Sequence, residues 1–302
     1  MKDEMPMPLL HTSMLETSDN RQLRVIKYTR KSGYQKGTVI FLQGVADNVA
    51  RYKELFSKLG ERGFSYASFD WYGQGGSLPP NKGKHENFRH RFDINRHIGD
   101  LDEFLHRIVY TDCPPPYYFL CYETGCLIAI SAIDVINNQC DRLIGISPLF
   151  SPLGYRIGGI HYKINKTLSD FGLGRMKLKQ SACLVRKSCS PLTAGSDYNE
   201  EKQTPLLDRH WLADIFETAA YAKQRLQKND QRFPALFVTS HNDSLASASE
   251  VRRFCHDVRL ADTITLSGAS HDLFHASDWH KKQFWALFDA FIPGTNAYDI
   301  TR

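Results

Sequence analysis

From residue 22 to residue 150 the chain alternates short β-rich apolar runs with stretches of helical periodicity, and few folds accommodate that alternation. QLRVIKY (22–28) and GTVIFLQG (37–44) read as strands, the second flanked by glycines. In 49–62 the residues Val49, Tyr52, Leu55, Phe56 and Leu59 fall on one helical face, and Gly63 ends the helix. FSYASFD (64–70) is a further strand running into the glycine-rich turn GQGGS. Ile94, Ile98, Leu101, Phe104, Leu105 and Ile108 make an apolar helical stripe, broken by the prolines at 114–116. YYFLC (117–121) reads as a buried strand, LIAISAIDVI (127–136) as a buried helix and RLIGIS (142–147) as another strand. The pattern returns in ALFVTS (235–240), a helix near 248–258, TITLSG (263–268) and a last helix over 278–291. Strands alternating with helices predict βαβ units, hence an α/β fold with a mostly parallel central sheet covered on both faces.

Between 151 and 232 the pattern weakens to Gly, Lys, Tyr and Ser with one clear helix near 209–226. We therefore expect a core made of 1–150 and 233–302, and a cap or lid inserted at 151–232 over the carboxyl ends of the strands, where open α/β sheets bind ligands. Apolar residues make up 42% of the 302 positions, enough for a core and too many for a disordered chain. A net charge of +5 without a basic block gives no support for nucleic-acid binding, though it leaves room for peripheral contact with an anionic membrane. No run of 18 apolar residues occurs, and MKDEMPMPLLHTSMLE lacks an apolar signal region, so the expectation is a cytoplasmic protein. The seven cysteines contain no C-x-x-C pair and read as reduced thiols rather than a disulfide frame or a zinc site.

A strand turning tightly into a helix, YYFLC-YETG-CLIAI, is where a nucleophile elbow would stand. The elbow pattern G-x-S-x-G is here Cys121-Tyr122-Glu123-Thr124-Gly125. With FLQGVADNVARY (41–52) for H-G-x-x-x-x-x-x-R-Y, FDWYGQGGS (69–77) for D-x-x-G-x-G-x-S, HIGDLDEFL (97–105), HNDSLAS (241–247) and SGASHDLF (267–274), the chain resembles the lysophospholipase and monoacylglycerol lipase family of α/β-hydrolases, of the serine aminopeptidase S33 type. The likeness runs over roughly 20–150 and 233–292. It implies an α/β-hydrolase fold, hydrolysis of carboxylic esters of single-chain lipids, and no cofactor or metal. Carried over by position, Asp243 matches the triad acid, His271 the base, and Val45 and Thr124 the backbone donors of the oxyanion hole. Glu123 stands where the nucleophilic serine belongs. Gln43 replaces the histidine of H-G, and Cys121 and Cys126 replace elbow glycines, which should crowd the turn.

The glutamate bears directly on activity. In a serine protease, loss of the serine alone lowers the rate by on the order of a millionfold. An ionised carboxylate is a poor nucleophile toward an ordinary ester. Beside His271 it would form an ion pair and raise the histidine pKa. Three functions stay open: a lysophospholipase-like hydrolase impaired at its nucleophile, a non-catalytic relative binding a lipid, ester or protein partner, and a hydrolase attacking through Glu123, as dehalogenases and epoxide hydrolases attack through a carboxylate. Asp70 reads as structural, holding the glycine turn. His85, His90, His97, His106 and His161 read as surface or cap residues, and the pair His271 and His275 has no supporting acid for a metal.

Overall fold

The computed structural model describes residues 12–30, 33, 35–44, 47–77, 92–152, 164, 167, 209–227 and 231–292. Its centre is an eight-stranded sheet: β1 Thr12–Glu16, β2 Gln22–Tyr28, β3 Thr38–Leu42, β4 Ser65–Phe69, β5 Tyr117–Tyr122, β6 Cys140–Ile146, β7 Ala235–Ser240 and β8 Ala261–Leu266. The spatial order is β1-β2-β4-β3-β5-β6-β7-β8. β1 and β2 are antiparallel, as are β2 and β4, and every later pairing is parallel. This is the α/β-hydrolase fold expected of the sequence.

The continuous apolar runs become strands buried along their whole length, as in β3, β4, β5 and β7. Alternation sorts their side chains between two cores: Ile40 and Leu42 face one, Val39 and Phe41 the other. On the Ile40 side lie α2 (Ile94–Phe104), α3 (Thr124–Ser131), α4 (Arg209–Gln227) and α5 (Ala248–His256); on the Val39 side lie α1 (Lys53–Glu61) and α6 (Asp278–Phe291). α4, whose sequence was read with the cap, buries Leu212, Ile215, Phe216, Ala219, Ala222 and Leu226 at helical spacing and packs on α3. Most of the segment read as the cap lies outside the described residues. No helix among the described residues is long and apolar enough to cross a membrane.

The carboxyl ends of the parallel strands are pinned by buried acids that accept backbone N–H groups. Asp70, at the end of β4, accepts from Val49 at 2.8 Å and from Gly76 at 2.7 Å, and pairs with Arg24 at 2.5 Å. One carboxylate thus ties the glycine turn to the loop after β3. Gln43 is fully buried between β3 and β4, donating from Nε2 to the Phe69 carbonyl at 2.6 Å and accepting from Ser68 Oγ at 3.3 Å. It braces the loop.

Between β5 and α3 only Glu123 intervenes. Gly125 lets the first turn of α3 sit directly on the end of β3, since a Cβ there would collide with the Leu42 and Gln43 carbonyl oxygens. The crowding expected from Cys126 is relieved elsewhere: its sulfur lies over Gly145 of β6, 3.0 Å from where a Cβ would stand. The glycine needed for close packing sits on the strand instead of the helix. By contrast Gly99, inside α2, has open space around its missing Cβ. Gly99→Ala is therefore expected to stabilise the protein by about 0.5–1 kcal/mol in urea unfolding, and Gly125→Ala to destabilise it by roughly 2–3 kcal/mol. Equal effects would contradict this account of the turn.

Candidate active site

Glu123 adopts φ 52°, ψ −119°, a left-handed conformation costing a non-glycine residue on the order of 1–3 kcal/mol. The turn is held by three backbone bonds: the Glu123 N–H donates to Ile146 O at 3.0 Å, and its carbonyl accepts from Cys126 N and Leu149 N, both at 3.2 Å. The side chain folds against Gly44, where any Cβ would strike its Oε2. Its carboxylate has no hydrogen bond or ion pair among the described residues, and only 8% of the residue is exposed. Burial pushes its pKa up to about 7; His271 and Arg51 pull it down, while Asp47 and Asp243 reinforce the rise.

Asp243 and His271 come from the loops after β7 and β8 and meet directly. His271 Nδ1 donates to both Asp243 oxygens, at 3.0 and 2.9 Å. Oδ1 of Asp243 also accepts the Leu245 and Ala246 N–H groups at 2.7 and 2.8 Å, so the carboxylate shapes its own loop. The histidine loop is anchored by Ser147, at the end of β6, whose hydroxyl donates to the His271 carbonyl at 2.6 Å. Nε2 of His271 is buried without a partner among the described residues. Burial pushes the imidazole pKa down, but the hydrogen bond and charge of Asp243, helped by Glu123 and Asp272, outweigh it and the net shift is upward. The rise expected for this histidine is present; among the described residues its ion pair is with Asp243, while Glu123 acts on it by charge without a direct ion pair. Thr124 is buried as the first residue of α3. Val45 lies outside the described residues.

A second network sits beside this one. Asp47 accepts from Arg51 at 3.0 Å, from the Asn48 N–H at 2.8 Å and from the Tyr52 hydroxyl. Arg51 reaches Asp272 at 3.6 Å, Asp272 binds His275 Nδ1 at 2.9 Å, and His275 Nε2 lies 3.2 Å from the Arg51 carbonyl. The loop after β3 is thereby stitched to the residues next to His271. The arginine and tyrosine were visible in FLQGVADNVARY, but nothing in sequence distance links them to His275. His271 and His275 thus serve different carboxylates, and no group of three or more His, Cys, Asp or Glu among the described residues could hold a metal. His97 is half-buried, stacked on Phe92 at 4.9 Å, and burial lowers its pKa to about 4; His106 is exposed. Cys113, Cys121, Cys126, Cys140 and Cys255 are buried free thiols. His85, His90, His161, Cys183 and Cys189 lie outside the described residues.

Glu123 has a measurable pH signature. It holds its proton up to about pH 7 when folded, against 4.5 for an ordinary glutamate. The folded state therefore binds the extra proton between those values, and stability falls as pH rises through that window. Glu123→Gln keeps the shape and removes the ionised form. It is expected to stabilise the protein by roughly 2–3 kcal/mol at pH 8 and by less than about half of that at pH 5. Urea unfolding at the two pH values checks this; an equal gain at both would refute the assignment.

The chain resembles a soluble variant of the monoglyceride lipase of Saccharomyces cerevisiae bound to a substrate analog, at 17% identity over 97% of this chain and 96% of that one, with a TM-score of 0.69. A monoacylglycerol lipase of Paleococcus ferrophilus gives 16% identity over 88% and 98%, TM-score 0.61. A thermostable carboxyl esterase of Bacillus coagulans in complex with glycerol gives 15% over 95% and 98%, TM-score 0.67. No curated protein matches the sequence. Residues 33–278 match the serine aminopeptidase S33 family, and the chain belongs to that family of α/β-hydrolases.

Proposed function

We propose that this is a lysophospholipase-like member of the family in which Glu123 stands at the nucleophile position, so that serine-dependent hydrolysis of carboxylic esters is disabled while the site still binds a single-chain lipid or ester-like ligand. The observation that carries the reading is the conformation of Glu123: it has the strained backbone of an elbow, yet its carboxylate packs against Gly44 and makes no hydrogen bond or ion pair with His271. In an active ester hydrolase the loop after Gly44 and the start of α3, here Val45 and Thr124, would offer backbone donors to a developing oxyanion. A carboxylate folded to that side adds negative charge where catalysis needs to disperse it. Asp243 and His271 would act as acid and base only with a nucleophile between them and the substrate. Their persistence needs no catalysis, because Asp243 also orders Leu245 and Ala246. In this reading the part of 151–232 that precedes α4 caps the ligand, and the surplus of positive charge favours contact with anionic headgroups.

One observation favours attack through the carboxylate instead: Nε2 of His271 has no partner among the described residues, as expected of a base for a water molecule. Hydrolysis of a lysophospholipid and a nitrophenyl ester by the native protein, Glu123→Ser and His271→Ala separates the two. The proposal expects the native rate at background and a gain with Glu123→Ser of on the order of a thousandfold, lost again when His271→Ala is added. Turnover by the native protein that His271→Ala abolishes, with an adduct on residue 123 in the mass spectrum, would overturn it.

A further inference from the structure

An acylated serine reads, outward from the backbone, Cα, Cβ, Oγ and a trigonal carbonyl carbon. A glutamate reads Cα, Cβ, Cγ and a trigonal carboxyl carbon. The two side chains match atom for atom through the carbonyl group, differing only in a methylene for the ester oxygen and an oxygen for the first carbon of the acyl chain. Glu123 sets this group on an elbow backbone, with Oε2 packed against Gly44 just beyond the end of β3. Within the field of that carboxylate, Nε2 of His271 is buried and has no partner among the described residues, and because Nδ1 is committed to Asp243 it points away from that acid.

We propose that Glu123 is a built-in stand-in for an acyl-serine, so that the site excludes the acid half of an ester and takes instead an aliphatic alcohol, its hydroxyl bound at His271 Nε2. The inference rests on the reading that residue 123 occupies the nucleophile position. A hydroxyl is suited to that place in either protonation state. It donates to the lone pair of the neutral imidazole, whose other nitrogen carries the proton, and accepts from the imidazolium. A carboxylate ligand lacks the first option and would meet Glu123, Asp243, Asp47 and Asp272. The cations nearby are already engaged, Arg51 by Asp47 and Asp272, and His275 by Asp272.

The probes are 1-O-decylglycerol, decanol, glycerol and decanoate, none of which can be hydrolysed. Binding to the native protein is followed by calorimetry and by the 15N resonance of His271 Nε2. At pH 8, decylglycerol or decanol is expected to bind at least tenfold more tightly than decanoate and to shift the Nε2 resonance. Decylglycerol above decanol assigns the hydroxyl to a glycerol headgroup, and the reverse order to a simple long-chain alcohol. Glycerol alone should bind weakly for want of a chain. His271→Ala should weaken the alcohol about tenfold, as expected for one hydrogen bond. Glu123→Gln, which keeps the acyl-like shape, should leave alcohol affinity within about threefold, whereas Glu123→Ala should raise decanoate affinity at least tenfold. The proposal is overturned if decanoate binds the native protein as tightly as the alcohols, or if the alcohols leave the Nε2 resonance in place. Those results in a protein inert toward esters refute this inference alone, while turnover of esters by the native protein refutes the earlier reading.

Discussion

The turn at residue 123 is the constraint on which the site depends. Placing a non-glycine residue at φ 52° is unfavourable by itself, so it persists only because its surroundings leave no alternative. β5 is paired on both edges, with β3 and β6, and α3 is buried along its whole length. Gly125 seats the helix on the Leu42 and Gln43 carbonyls, and the Ile146 carbonyl takes the Glu123 N–H. Packing on both sides of one residue fixes where its side chain emerges, whatever that side chain is. A scaffold of this kind holds elbow geometry independently of the side chain at residue 123.

Around the turn, loops are held by buried acids acting as acceptors for the backbone. Asp70 holds the loop after β3 and the glycine turn, Asp47 the start of the next helical turn, and Asp243 its own loop together with His271. Each satisfies N–H groups that would otherwise be buried unpaired, a loss on the order of 1–3 kcal/mol per group. These carboxylates therefore have structural work independent of catalysis. Glu123 differs: its carboxylate is buried without a hydrogen bond among the described residues, in the field of Asp47 and Asp243, and burial pushes its pKa up to about 7.

The parallel core was legible because fully buried strands are continuous apolar runs: β2 and β7 have the limits expected from QLRVIKY and ALFVTS. β1 was not read, since TSMLE buries only Leu15 and lies at the sheet's edge. At the opposite edge β8 begins and ends two residues earlier than expected, its exposed Ile264 and Thr265 giving no alternation to follow. The run 127–136 was read as one helix, whereas α3 begins at Thr124 and breaks at Ala132. The Asp243–His271 pair was legible from motif register alone. The direction of the Glu123 side chain was not, because it depends on space left by Gly44, and the relief of Cys126 depends on Gly145, contributed by the next strand.

The most direct test of the central claim, that the elbow is intact but carries an acyl-like carboxylate in place of a nucleophile, is intact-mass analysis after exposure to a fluorophosphonate, which phosphonylates activated serines. The account predicts no mass gain for the native chain and a single adduct on residue 123 in Glu123→Ser, dependent on His271. A native chain that is labelled, or a serine variant that stays unlabelled although folded, would contradict it.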